Sequence, residues 1–161
     1  MSTSLRLIEQ LKPIWAGEPK SYSGAAFTAK YVSMKLYDRL VIWISTGAWA
    51  AGTAAVTLLQ ATTVTGTSAK ALAFLWVWIN TAALPDTWVK TAVTSNTFNL
   101  DTANLGYWIE VVASDLDVDG GFDCVTLAVA SPGANADFYG VNYLAAQPRY
   151  PDKDLPSALV N

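Results

Sequence analysis

The segment Arg39-Leu-Val-Ile-Trp-Ile-Ser-Thr46 alternates on a two-residue period, with Leu40, Ile42 and Ile44 on one face of an extended chain and Val41 and Trp43 on the other. Its β-branched and aromatic side chains, with no Gly or Pro among them, mark a strand. Both faces are apolar, whereas a strand with one wet face shows polar residues in one of the two sets. Leu72 to Asn80 repeats the pattern, with Phe74, Trp76 and Trp78 against Leu75, Val77 and Ile79. Something must cover the second face of these strands, either the domain's own loops and arm or a neighbouring subunit.

Outward from these two segments, short β-branched and aromatic stretches recur at the roughly 8–12 residue spacing of a sandwich or barrel. About eight strands are expected: Tyr31 to Leu36, Arg39 to Thr46, Ala54 to Thr62, Leu72 to Asn80, Trp88 to Thr94, Tyr107 to Ala113, Phe122 to Ala130 and Phe138 to Ala145. The connectors carry turn chemistry. Gly47 to Gly52 is small and flexible, Gly66 permits a reversal, Asp119-Gly120-Gly121 offers positive φ, and Ser131-Pro132-Gly133 suits a type II turn. The expected fold is therefore all-β, an antiparallel, jelly-roll-like sandwich over residues 31–149.

Both ends read differently. Leu7, Ile8 and Leu11 have helical spacing within Leu5 to Lys12, and Pro13 would stop such a turn. Gly17, Pro19, Ser21 and Ser23 then interrupt any periodicity, so residues 1–30 are expected to form an N-terminal arm. Pro148, Pro151 and Pro156 make residues 150–161 an extended C-terminal tail. Arm and tail are expected to contact other subunits rather than the core.

A chain of 161 residues can bury one substantial core. Seven Trp and seven Tyr exceed what such a core usually absorbs, which points to assembly. A formal charge of -3 without any Lys or Arg run argues against nucleic acid as a partner. The uninterrupted apolar run from Ala71 to Ile79 is far short of the ~20 residues that cross a bilayer, and Arg6, Glu9 and Lys12 break the pattern of a secretory signal. No membrane partner and synthesis in a cytoplasm are expected.

The chain has no His, which removes the central member of Ser-His-Asp and Cys-His catalysis and of the commonest zinc sets. Cys124 lies in an expected strand and reads as a buried thiol. Asp115-Leu-Asp117-Val-Asp119-Gly120 opens like a calcium loop, but the twelfth position of an EF-hand loop falls on Thr126 rather than Glu, and the flanks read as strands. A solvated turn without a tightly bound metal is expected there. Glu110 and the same aspartates could supply a carboxylate pair for glycoside hydrolysis, yet spacing in sequence does not set their separation in space. No phosphate-binding glycine loop is present. The expectation is no enzyme, no catalytic, cofactor-binding or metal residues, and no cofactor.

The segments Tyr31-Val-Ser-Met-Lys-Leu-Tyr37, Thr46-Gly-Ala-Trp-Ala-Ala-Gly-Thr-Ala-Ala-Val-Thr57, Ala69-Lys-Ala-Leu-Ala-Phe74, Ser114-Asp-Leu-Asp-Val-Asp-Gly-Gly-Phe-Asp-Cys124 and Ala130-Ser-Pro-Gly-Ala-Asn-Ala-Asp137 resemble a family of small tailed-bacteriophage head decoration, or cement, proteins. The resemblance covers most of the chain. It implies a structural protein on the capsid surface of a virion that binds the major capsid protein; with the aromatic excess and doubly apolar strands read above, a homo-oligomer made in the host cytoplasm is expected. The alternatives are a tail or head-to-tail connector component, which shares the β-rich composition, and a receptor- or glycan-binding module. The last requires a concave cleft lined by exposed Trp.

Overall fold

A computed structural model describes residues 7, 10–81, 84–150 and 155–160. In chain order its strands are β1 (Leu11–Ser21), β2 (Phe27–Thr28), β3 (Val32–Ser33), β4 (Tyr37–Thr46), β5 (Ala54–Ala61) and β6 (Lys70–Leu72), followed by β7 (Trp76–Thr81), β8 (Leu84–Ala92), β9 (Phe98–Leu100), β10 (Gly106–Val112), β11 (Cys124–Val129) and β12 (Phe138–Pro148). One antiparallel sheet has the order β1-β12-β4-β10-β7-β8. The second has the order β2-β11-β5-β6, with β3 also on β11 and β9 also on β5. The expected all-β sandwich is what the chain forms.

The pairing reduces to a jelly roll once two split strands are recognised. β2 and β3 both pair with β11 and share one strand position. β6 pairs with Leu58 to Gln60 of β5 and β9 with Ala54 to Val56, so these two also occupy one position. In chain order the eight positions pass back and forth between the sheets except at β5 and the split β6/β9 strand, which are neighbours in the second sheet, and they form two interleaved Greek keys. The hairpin β7–β8 is an insertion into the split β6/β9 strand. It crosses over and extends the other sheet by pairing with β10 through Gly106↔Asn80, Tyr107↔Ile79 and Trp108↔Trp78.

Residue alternation decides which sides meet. Leu40, Ile42 and Ile44 of β4 are fully buried, beside Val111, Ile109 and Tyr107 of β10 in direct register. They face Val56, Leu58, Val125, Leu127 and Val129 of the second sheet, all in one apolar cluster. Tyr143 of β12 ties the layers together. Between β2 and β3 the Leu127 N–H of β11 lacks a strand partner, and the buried Tyr143 hydroxyl accepts it at 3.0 Å. Replacing Tyr143 by Phe strands that donor in the core, so Tyr143→Phe should cost ~1–3 kcal/mol in chemical denaturation.

Burial pushes the hydroxyls of Tyr143 and Tyr107 up from 10.0 to about 12, with the nearby Asp101 charge adding to the effect on Tyr107. It likewise raises the Cys124 thiol from 9.0 to about 12. The unfolded chain releases these protons first, so ionisation favours unfolding as pH rises through the interval. The melting temperature should be insensitive to these groups below pH 9 and fall between pH 9 and 12. A melting temperature that stays level to pH 12 would contradict this burial pattern.

The ends depart from expectation. Leu11–Ser21 is a full strand of the first sheet, paired along β12, so the sandwich begins well before residue 31. Ile14 and Ala16 point inward and are buried. Pro13 and Pro19 are tolerated because β1 is an edge strand that needs no second partner. Half of the helix expected over Leu5 to Lys12 lies outside the described residues, and Leu11 and Lys12 are already strand.

The described tail, residues 155–160, has no regular structure, yet it packs back on the domain. Leu155 and Ala158 are buried, the Ser33 N–H donates to the Ala158 carbonyl at 2.7 Å, and the Tyr37 hydroxyl donates to that of Pro156. This part of the tail belongs to the core. The strand expected over Leu72 to Asn80 is broken: the chain leaves one sheet after Leu72 and enters the other at Trp76.

Candidate functional site: a tryptophan-lined sheet face

Side chains at alternate positions of the first sheet point away from the core, and the register aligns them into a row. Trp15 of β1 lies opposite Asn142 of β12, Asn142 opposite Trp43 of β4, and Trp43 opposite Trp108 of β10. Trp108 lies opposite Trp78 of β7, and Trp78 opposite Lys90 of β8. Adjacent strands lie about 4.8 Å apart, so four indoles and two polar side chains form one line across all six strands. Trp15 remains 62% exposed and Trp43 42%, which is far from the burial usual for this residue type.

The inserted hairpin adds depth to this face. Trp88, beside the row on β8, packs edge-to-face on Trp108 with ring centres 6.1 Å apart. Gly106 makes room for it, since a Cβ there would stand 3.0 Å from the Trp88 ring and 2.8 Å from Asn80 Oδ1. Asn80 Oδ1 accepts the Gly106 N–H at 2.6 Å and fixes the hairpin to β10. Trp78, Trp88, Trp108 and Glu110 line an open recess of about 270 Å³. A neighbouring hollow of about 450 Å³ is lined by Arg39, Phe74, Trp76, Trp78, Glu110 and Asp115, among others. Trp78 and Glu110 belong to both, so the two join as one trough.

The charged groups of the trough each have a contact within the protein, of which Arg39–Glu110 is an ion pair. Arg39 Nη1 pairs with Glu110 Oε1, and Arg39 Nε donates to Gln147 at 3.0 Å. The Lys90 ammonium lies 4.1 Å from the Trp76 ring centre and 5.6 Å from that of Trp78. Asp115 accepts the Val112 N–H at 2.9 Å.

The sheet edges, by contrast, are poor association surfaces. β1 carries Pro13, Pro19 and two register shifts. β8 carries Lys90 and an irregularity opposite Asn80 and Thr81. The second sheet ends in pieces of two or three residues on both sides. Each is a device that blocks strand addition.

The other residues singled out in the sequence are dispersed. Asp117 pairs with Lys70 and accepts the Gly120 N–H, and these contacts hold its carboxyl below the usual range. Asp123 pairs with Lys35 and accepts the Cys124 thiol, while Thr126 is buried and donates to Ala29. Gly121 and Gly133 have φ of +79° and +88°, in keeping with the expected turns. Among the described residues no three His, Cys, Asp or Glu side chains converge, and no helix is long and apolar enough to cross a membrane. Of the carboxylates named from sequence, Glu110 lines both parts of the trough and Asp115 lines the second part.

The fold and face define an all-β sandwich of jelly-roll topology with one aromatic outer surface. Comparison with family models, curated proteins and solved structures finds no match to this chain.

Proposed function

We propose that this chain is a structural virion protein that decorates a tailed-phage head and stabilises it by binding the major capsid protein lattice. The observation that carries the reading is the combination of four blunted sheet edges with an uncovered indole row, most exposed at Trp15 and Trp43. A face of this kind associates by burying rings rather than by adding strands. The resemblance of the sequence to small phage decoration proteins supplies the partner.

The β1-β12-β4 half of the face, with Trp15, Asn142 and Trp43, is the docking half in this account. A standard interface of about 1,600 Å² is large enough to take up these rings. Binding that prefers the assembled lattice shifts the equilibrium away from rupture by mass action. Contacts between neighbouring copies add avidity, so each single contact can be weak. The role requires no catalytic group.

The test is to mix the purified chain with undecorated expanded capsids and with immature shells, and then to heat both. Preferential binding to expanded shells together with a higher rupture temperature is the expected outcome. Absence of capsid binding, with the protein located at the tail instead, would refute the decoration reading.

A further inference from the structure

The trough between β10 and the inserted hairpin has a composition that selects among ligands. Its walls are indoles, yet its rim is polar and electrically balanced, with Arg39 and Lys90 against Glu110 and Asp115. A cation would compete with Lys90 for the Trp76 and Trp78 rings and would meet Arg39 beside Glu110. An anion would meet Glu110 and Asp115. A purely hydrocarbon ligand would cut the Arg39–Glu110 pair off from water without offering hydrogen bonds in return. A flat ring with C–H faces and a hydroxyl rim satisfies both parts.

We propose that this trough binds an uncharged oligosaccharide of two or more pyranose rings. One ring lies against Trp88 and Trp108, the next against Trp76, and hydroxyls between them reach Glu110 and Arg39. The shared wall of Trp78 and Glu110 joins the two compartments, which is why a chain rather than a single sugar is the ligand. The site lies on the hairpin half of the sheet, away from Trp15, so it goes beyond the capsid-docking reading and does not depend on it.

The experiment titrates the full chain with maltohexaose, cellohexaose and N-acetylchitohexaose, using glucose and tetramethylammonium chloride as controls. Tryptophan emission and calorimetry are the readouts. At least one hexasaccharide should bind with Kd below about 1 mM, and glucose should bind at least about tenfold more weakly. Trp78→Ala and Trp88→Ala should each weaken the hexasaccharide by about tenfold or more, and Trp15→Ala should leave it unchanged. Trp88 sits on an exposed edge strand, so its variant reports on binding even if Trp78→Ala fails to fold.

No hexasaccharide bound at about 10 mM, or binding indifferent to both variants, would overturn the proposal. So would tetramethylammonium binding more tightly than any sugar. Sugar binding lost in Trp88→Ala with capsid association retained separates this site from the docking face. Failure of capsid association with sugar binding retained would overturn the decoration reading alone.

Discussion

Deleting residues 74–97 is expected to leave a folded sandwich. The excision removes the inserted hairpin and joins Leu72 through Ala73 to Phe98. Leu72 pairs with Leu58 and Phe98 with Val56, so one residue is the number needed opposite Thr57. Alternation stays in phase across the junction, since Leu72 and Leu100 both point inward and are buried. The split strand becomes continuous and the eight positions of the jelly roll remain. Loss of Phe74, Val77 and Val93 from the core should lower stability by on the order of 3 kcal/mol or more. Circular dichroism should retain the β spectrum, melting should stay cooperative at a lower temperature, and hexasaccharide binding should vanish. A chain that no longer folds would show that the hairpin is a structural member of the fold rather than an insertion.

The second large effect concerns docking. Trp43→Ala and Trp15→Ala should each weaken association with expanded capsids roughly 30-fold or more, the loss typical of a buried aromatic anchor. Trp15 is mostly exposed on an edge strand, so its variant should change stability by no more than about 0.5 kcal/mol, whereas Trp43 is more than half covered between Asn142 and Trp108 and its variant should cost about 1–3 kcal/mol while remaining folded. A co-sedimentation titration on expanded capsids reads the first quantity, and denaturant unfolding reads the second. Equal affinity for wild type and both variants would remove the β1-β12-β4 half of the face from the docking account.

Much of the framework was legible in the sequence because its central strands alternate cleanly. Ala54–Ala61, Gly106–Val112 and Tyr37–Thr46 fall within a few residues of their expected places. β1 was hidden because Pro13, Gly17 and Pro19 are breakers in an interior strand but ordinary on an edge, and only the strand order shows which applies. The break at 73–75 was hidden for another reason. An apolar run buried by two different sheets looks the same as one strand buried on both faces, so the crossing from Leu72 to Trp76 leaves no mark in the pattern. That crossing also explains the apolar character of Trp76 and Trp78: they line the outer face, while Val77 enters the core.

The trough could not be read from sequence at all. Its indoles come from positions 78, 88 and 108, on strands brought side by side by the insertion, and no spacing rule links them. The sequence carried only the excess of Trp. The described tail has no regular structure, as its Pro and charge lead one to expect, but those residues do not prevent packing, and Leu155 and Ala158 supply enough apolar surface to dock on the domain.

The most direct test of the central claim is a cryo-electron map of the parent particle. Density for many copies of this jelly roll is expected on the outside of the head, with the Trp15 and Trp43 face turned onto the major capsid protein. Copies confined to the tail, or head-bound copies with Trp15 and Trp43 facing solvent, would contradict it.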